Sequence, residues 1–145
     1  MTALWKGFAV VVFVLLTTHS LTAQIADEAR LRDLEEGTTI TFNEKVVLPA
    51  GQTSLWLDTG KGKTCSCQFF GKDTGEETIY EAGKQLSLRL VSVKGLFDGS
   101  QMHVARVYFN ETPNYFKFKC YARDINVGHI ADFLTVESNA VITKK

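Results

Sequence analysis

From residue 38 onward, apolar and polar side chains alternate in short runs that predict β-strands. Ile40 and Phe42 share one face of the first run, and Leu55 and Leu57 share one face of a later run. Residues two apart on a strand point to the same side, so each run has one apolar face. Turns rich in glycine or containing proline separate the runs. We predict strands at Thr38–Phe42, Lys45–Leu48, Thr53–Asp58, Thr64–Phe70, Thr78–Glu81, Leu86–Leu90, Met102–Phe109 and Tyr115–Ala122.

The spacing of these runs indicates the fold class. Strands that follow one another about every ten residues, with no helical period between them, are typical of antiparallel β-sandwiches and small barrels. We therefore predict an all-β domain, an antiparallel β-sandwich or small barrel of about seven short strands. The chain has no internal repeat and no low-complexity linker, so we expect residues 24–145 to form one domain.

Two segments near the ends of this domain break the alternation and predict short helices. Gln24–Glu36 has early acidic residues and apolar residues on one side, which predicts a helix ending at Gly37. A frayed tail is the alternative, because isolated helices of this length are marginal in water. Asp124–Ser138 has apolar residues at spacings of three and four, which predicts a helix covering one open end of the sandwich. A final extended piece is expected at Ala140–Ile142.

The first 23 residues have the character of a secretory signal peptide. Lys6 precedes the uncharged run Phe8–Leu16, which is too short to cross a bilayer as a helix. The small side chain of Ala23 favours cleavage after that residue. We expect residues 1–23 to be removed and the protein to be periplasmic or extracellular, without stable membrane insertion. An uncleaved N-terminal anchor is the alternative.

The charge balance limits the class of partner. Sixteen Lys and Arg residues balance sixteen Asp and Glu residues, so the formal net charge is zero. A neutral chain has no bulk field that would collect nucleic acid or anionic lipid. We therefore expect no nucleic-acid partner.

Three cysteines are expected to point into one interior. Cys65 and Cys67 lie two apart on one predicted strand, and Cys120 shares a strand face with Phe116 and Phe118. In an exported protein we expect one structural disulfide, joining Cys120 to Cys67 or to Cys65, because a bridge between Cys65 and Cys67 would need strained geometry. The alternative is a copper or zinc carrier that binds metal through Cys65, Cys67 and Cys120. The disulfide interpretation needs no cofactor.

Recognisable catalytic motifs are absent from the sequence. His103 and His129 remain after cleavage, and neither lies in a known catalytic motif. We therefore expect no enzymatic activity; a small secreted hydrolase that uses His103 or His129 with a turn carboxylate is the alternative. Asn110 begins an N-glycosylation acceptor sequence in a predicted turn, and Pro113 directly after Thr112 is expected to lower the efficiency of that sequence.

Outward aromatic and basic residues form the candidate binding surface. Trp56 is predicted to point away from the apolar side of its strand, and Tyr115, Lys117, Lys119 and Tyr121 alternate with core-facing residues on another. Flat aromatic rings next to cations suit protein, peptide or sugar partners. Cross-strand pairing on a solvated sheet face, or burial under the terminal helix, is the alternative. We predict a small exported, non-catalytic binding or structural accessory protein with a protein or glycan partner.

Overall fold

Alternating side chains build the strands of the computed structural model, which describes residues 22–57, 65–96 and 101–139. These residues contain ten strands, one 3-10 turn at Leu31–Asp33 and one helical turn, α1, at Val127–Ile130. The predicted all-β fold is confirmed, with antiparallel sheets that curl into a half-barrel. The strands are β1 Thr22–Gln24, β2 Thr39–Phe42, β3 Val46–Leu48, β4 Ser54–Leu57, β5 Cys65–Phe70, β6 Thr78–Tyr80, β7 Gln85–Gly95, β8 Met102–Phe109, β9 Tyr115–Tyr121 and β10 Leu134–Asn139.

Eight strands form one sheet in the order β1-β10-β2-β7-β8-β9-β5-β4, and β3 pairs with β6. All of these pairs are antiparallel. In the described residues, β4 therefore forms one edge of the large sheet and β1 the other.

The strand β7 continues beyond its predicted end at Leu90 and reaches Gly95. A β-bulge shifts its pairing with β8 between Leu88 and Leu90. Leu88 is buried before the bulge, and Val91 and Val93 pack against the same core after it. Because a bulge inserts one extra residue, the inward positions change from even to odd numbers. The predicted alternation therefore ends at Leu88, and Leu90 points outward although the strand continues.

The inner face of the half-barrel holds an aromatic core. The ring of Phe116 packs edge-on against Phe42 and Phe69, with centroid distances of 5.1 Å in both pairs. Tyr80 of β6 lies 5.1 Å from Phe42, so the β3-β6 pair packs on this inner face. Burying each phenylalanine contributes about 1.5–3 kcal/mol. Fully buried phenylalanines are Phe42, Phe69, Phe109, Phe116 and Phe118.

The predicted helix at Gln24–Glu36 is wrong. The chain instead leaves β1 and runs irregularly through the 3-10 turn. The backbone N–H of Ile25 donates to the carbonyl of Val136 at 3.0 Å, and that of Leu31 donates to Ile125 at 2.9 Å. Leu31 is also completely buried. An isolated helix of this length is marginal, so these bonds to the C-terminal part of the chain prevail.

The predicted helix at Asp124–Ser138 is correct only over the single turn α1. The chain then forms β10, which lies between β1 and β2 in the sheet. Leu134 and Val136 are buried and alternate with the half-buried Thr135. This period of two, with β-branched residues, favours a strand. Ile130 is also buried and lies four residues before Leu134, so the apolar positions fit a helical spacing as well.

The ends of the chain bear on the export prediction. Residues 1–21 of the predicted signal peptide and the predicted extended piece at 140–142 lie outside the described residues. The bond after Ala23, where cleavage is predicted, lies within β1, and Ala23 pairs with Ser138 of β10. In the described part of the chain, no helix is long and apolar enough to cross a membrane.

Candidate binding face

Side chains opposite the aromatic core project from β4, β5, β9, β8 and the second half of β7. The register aligns them in rows across the strands. Trp56 of β4 lies opposite Gln68 of β5, and Gln68 lies opposite Lys117 of β9. We use the term outer face for the aromatic, leucine and basic residues at these outward positions: Trp56, Phe70, Leu90, Lys94, Arg106, Tyr108, Tyr115, Lys117, Lys119 and Tyr121.

Trp56 and Tyr121 are the most exposed aromatic residues of this outer face. Their exposed fractions are 64% and 67%. Trp56 lies on the edge strand β4, and Tyr121 is the last residue of β9. Aromatic rings stabilise a protein most when they are covered, so Trp56 and Tyr121 are the candidate contact residues of the outer face.

Tyr115 also lies on the outer face, but unlike Trp56 and Tyr121 it is half-buried. Its ring stacks on Phe70 with a centroid distance of 5.0 Å and an interplanar angle of 5°. Tyr108 packs on it as well, again at 5.0 Å. The ring of Tyr115 therefore belongs to an aromatic strip across β5, β9 and β8 and does not present an open face.

Basic side chains occupy the middle of the outer face. Lys117 lies opposite Arg106 in the β8-β9 register. Lys119 lies opposite Val104 of β8, and Val104 lies opposite Lys94 of β7. None of the described outward positions of these strands carries Asp or Glu. Four cations therefore lie within a few strand spacings of one another, without a carboxylate among them.

Two cations also contact the aromatic strip. The Lys117 Nζ lies 5.9 Å from the centre of the Phe70 ring. The guanidinium of Arg89, at the bulge of β7, lies 5.5 Å from the centre of Tyr108. Such cation–π contacts contribute about 0.5–1 kcal/mol at exposed sites and hold the cations against the sheet.

The sequence predicted Trp56 of β4 and the outward residues of β9, but not the outer-face residues of β5, β7 and β8. Arg106 and Tyr108 alternate with core residues on β8 just as Lys117 does on β9. Lys94 lies after the β7 bulge, beyond the predicted end of that strand. The period of two could have placed Arg106 and Tyr108 outward, but only the strand order brings them beside Lys117.

The cysteine cluster lies on the inner face, behind the outer face. Cys65 is directly opposite Cys120 in the β5-β9 register, and a disulfide joins them across a Cα–Cα distance of 4.1 Å. Cys67 lies opposite Phe118 instead, and it is a free, buried thiol. Of the two predicted pairings, the structure therefore has Cys65 with Cys120. Burial raises the pKa of the Cys67 thiol well above its ordinary value.

The two histidines in the described part of the chain, His103 and His129, are hydrogen-bonded to the backbone. The His103 Nδ1–H donates to the carbonyl of Ala122 at 2.6 Å. The His129 Nδ1 accepts from the backbone N–H of Asn126 at 2.8 Å, which closes the first turn of α1. Residues 22–57, 65–96 and 101–139 contain no group of three or more His, Cys, Asp or Glu side chains placed to hold a metal ion.

Two carboxylates outside this face have lowered pKa values. Partial burial would raise the pKa of Asp124, but a hydrogen bond from Arg32 at 2.9 Å, the Ile125 backbone N–H and the arginine charge outweigh that effect. Partial burial would likewise raise the pKa of Glu111, but hydrogen bonds from the Ser87 hydroxyl and backbone N–H outweigh it. Both carboxylates thus stabilise the loops that hold them.

The glycosylation acceptor lies in the turn after β8. Asn110 is exposed, and its Nδ2 donates to the carbonyl of Leu88 at 3.4 Å. Thr112 of the same acceptor sequence accepts a hydrogen bond from the Tyr80 hydroxyl at 3.0 Å.

The outer face offers ring surfaces and positive charge to a ligand. Exposed rings stack against flat apolar surfaces, and lysine and arginine bind carboxylate, sulfate or phosphate groups. In comparisons with known proteins, no family model, no curated protein and no solved structure matches this chain.

Proposed function

We propose that this chain is a small exported, non-catalytic domain that binds a protein or glycan partner through its outer face. One observation carries this proposal: two aromatic rings that are about two-thirds exposed, Trp56 and Tyr121, share one sheet face with a group of cations. Ring faces provide contact area at low entropic cost, and cations add specificity through charge.

Two features support export to the periplasm or the cell exterior. The segment Met1–Ala23 has the length and the hydrophobic run of a signal peptide. The Cys65–Cys120 disulfide suits an oxidising compartment. Cleavage after Ala23 leaves Gln24 paired with Glu137, and it keeps the Ile25 hydrogen bond to Val136. The intact mass of the exported protein tests this point, and we expect the chain to begin at Gln24.

The binding proposal is tested on arrays of glycans and peptides. We compare the wild type with Trp56→Ala and Tyr121→Ala, which remove the exposed rings. Ile79→Ala is the matched control, because Ile79 is 46% exposed but lies on β6, outside the outer face. We expect the two aromatic variants to lose at least tenfold in affinity for the array ligands and Ile79→Ala to lose less than twofold. Ligands bound equally by all four proteins would refute a binding site at the outer face.

A further inference from the structure

The charges of this neutral chain are segregated. Lys94, Arg106, Lys117 and Lys119 occupy outward positions, and none of the outward positions on the described strands β4, β5, β7, β8 and β9 carries a carboxylate. Exposed acids occur in the turn between β5 and β6 and in the segment before β2: Asp73, Glu76, Glu77, Asp33, Glu35 and Glu36. A local field depends on such clustering and not on the net charge, so the outer face attracts anions although the whole protein is neutral.

The arrangement of charge and rings on the outer face differs from that of a protein–protein interface. Such interfaces place aromatic side chains at the centre, with charged residues depleted there and a polar rim around them. Here Lys117, Lys119 and Arg106 occupy the centre, and the exposed rings of Trp56 and Tyr121 lie at opposite margins. This order favours a hydrated polyanion over a folded protein.

The aromatic residues also do not provide a platform for nucleic-acid bases. Single-stranded nucleic acid stacks successive bases on open aromatic rings. In the central strip, Tyr115 has Phe70 and Tyr108 packed against it, so its ring is already covered. Trp56 and Tyr121 are two strand spacings apart across the sheet and four residues apart along the strands, which gives a straight-line separation of about 17 Å. Rings so far apart suit a ligand that alternates ring faces with charged groups over several units.

We infer that the outer face binds an anionic polysaccharide, whose carboxylate or sulfate groups lie on Lys117, Lys119 and Arg106 while sugar rings stack on Trp56 and Tyr121. This inference rests on the proposed binding function and adds the class of ligand. The apolar C–H faces of sugar rings pack on flat aromatic rings, and lysine and arginine form charge-assisted hydrogen bonds with carboxylates and sulfates.

The test measures the affinity of the exported wild-type protein for five soluble probes by titration calorimetry. Heparin supplies sulfates, polygalacturonate supplies carboxylates, and neutral dextran supplies uncharged sugar rings. Poly-glutamate represents an acidic protein, and a thymidine oligonucleotide represents nucleic acid. We expect heparin or polygalacturonate to bind at least tenfold more tightly than the other three probes. We also expect their affinity to fall as the salt concentration rises, because salt screens exposed charges.

Charge variants connect this binding to the outer face. Lys117→Gln/Lys119→Gln removes two central cations, and Lys45→Gln/Lys84→Gln removes two exposed cations outside the outer face with the same change in net charge. We expect the first variant to lose at least tenfold in affinity for the anionic polysaccharide and the second to lose less than twofold. Thermal unfolding of each variant checks that the fold is intact.

Several results would overturn this inference. Equal or tighter binding of the oligonucleotide or of poly-glutamate would assign the face to nucleic acid or to acidic protein. Polysaccharide binding that is unchanged in Lys117→Gln/Lys119→Gln would place the site elsewhere. If no anionic polysaccharide binds while array ligands still depend on Trp56 and Tyr121, the ligand class is wrong and the binding function stands. If the arrays also show no such dependence, both proposals fail.

Discussion

Removing the Cys65–Cys120 disulfide should cost this domain a large part of its stability. The bridge joins β5 to β9 over a sequence separation of 55. In the chain-entropy model, cross-linking a loop of that length destabilises the unfolded state by about 4 kcal/mol. Domains of this size are stable by only about 5–15 kcal/mol. We therefore expect Cys65→Ala/Cys120→Ala to lose about 4 kcal/mol from the loop term alone.

A matched control separates the cross-link from the loss of buried sulfur atoms. Cys67→Ala removes one sulfur from the same strand face, where Cys67 is 0% exposed, and it breaks no covalent bond. Such a deletion costs about 1 kcal/mol through lost burial and the cavity that remains. Guanidinium unfolding of the wild type and both variants gives the free energies of unfolding. The double variant should lose the Cys67→Ala free energy twice, once for each deleted sulfur, and a further ~4 kcal/mol for the lost cross-link.

The same proteins show whether the reasoning about the pairing is correct. After unfolding without reduction, the wild type should react with one equivalent of alkylating reagent, at Cys67, and peptide mapping should recover Cys65 linked to Cys120. In the folded protein Cys67 should stay unmodified, because burial raises its thiol pKa and blocks access. A double variant that loses no more than twice the Cys67→Ala loss would refute the loop-entropy estimate. A recovered Cys67–Cys120 peptide would refute the register.

Two further predictions concern polar contacts that hold the loops. The buried Asn114 side chain donates to the Tyr80 hydroxyl at 2.9 Å and accepts from the Lys72 backbone N–H at 3.1 Å. Asn114→Ala should therefore lose about 1–3 kcal/mol of unfolding free energy in guanidinium titrations. An unchanged midpoint would contradict this prediction. Asp124 has a folded-state pKa below its ordinary value, so its contribution to stability is present above the unfolded-state pKa and is lost as the pH falls through the folded-state pKa. Asp124→Asn should therefore lower the stability at neutral pH and reduce the loss of stability as the pH falls. Thermal unfolding from pH 2 to pH 7 measures both effects. An acid profile identical to that of the wild type would contradict the role of the ion pair with Arg32.

The strands could be predicted from the sequence where one period held over a whole element. On β5, Cys65, Cys67 and Phe69 are buried and their neighbours are half-buried, so the alternation and the structure coincide. The strand β9 alternates in the same way, β8 does so from Ala105 onward, and both strands end within one residue of their predicted limits. An antiparallel sheet with one buried face requires apolar residues at every second position, so these strands could be predicted from the sequence.

The two predicted helices were wrong or too long because contacts with distant parts of the chain determine the local structure there. At both ends of the domain, apolar residues at helical spacing belong to segments whose backbone groups bond to each other, as Leu31 does to Ile125. The pairing of β10 with β1 and β2 joins residues near position 136 to residues near positions 24 and 40. A pattern read within a short window contains no information on such partners, so the helical and extended interpretations fitted equally well.

The choice of disulfide partner and the extent of the outer face depended on register in the same way. Alternation placed Cys65 and Cys67 on one side of β5, but only the pairing of β5 with β9 decides which of them lies opposite Cys120. The same register places Ser66 opposite Lys119 and Gln68 opposite Lys117. A slip of one residue would turn every side chain of a strand to the other face.

The two faces of the β5-β9 pair are therefore mechanically linked. The disulfide fixes Cys65 opposite Cys120 on the inner face, and this bond prevents a slip that would bring Lys119 and Lys117 into the core. The aromatic strip strengthens the same register from the outside, because Phe70 stacks on Tyr115, its cross-strand partner. A ligand that requires cations at fixed spacing gains from such a rigid sheet, since less entropy is lost on binding. The covalent bond on the inner face thus preorganises the positive charges on the outer one.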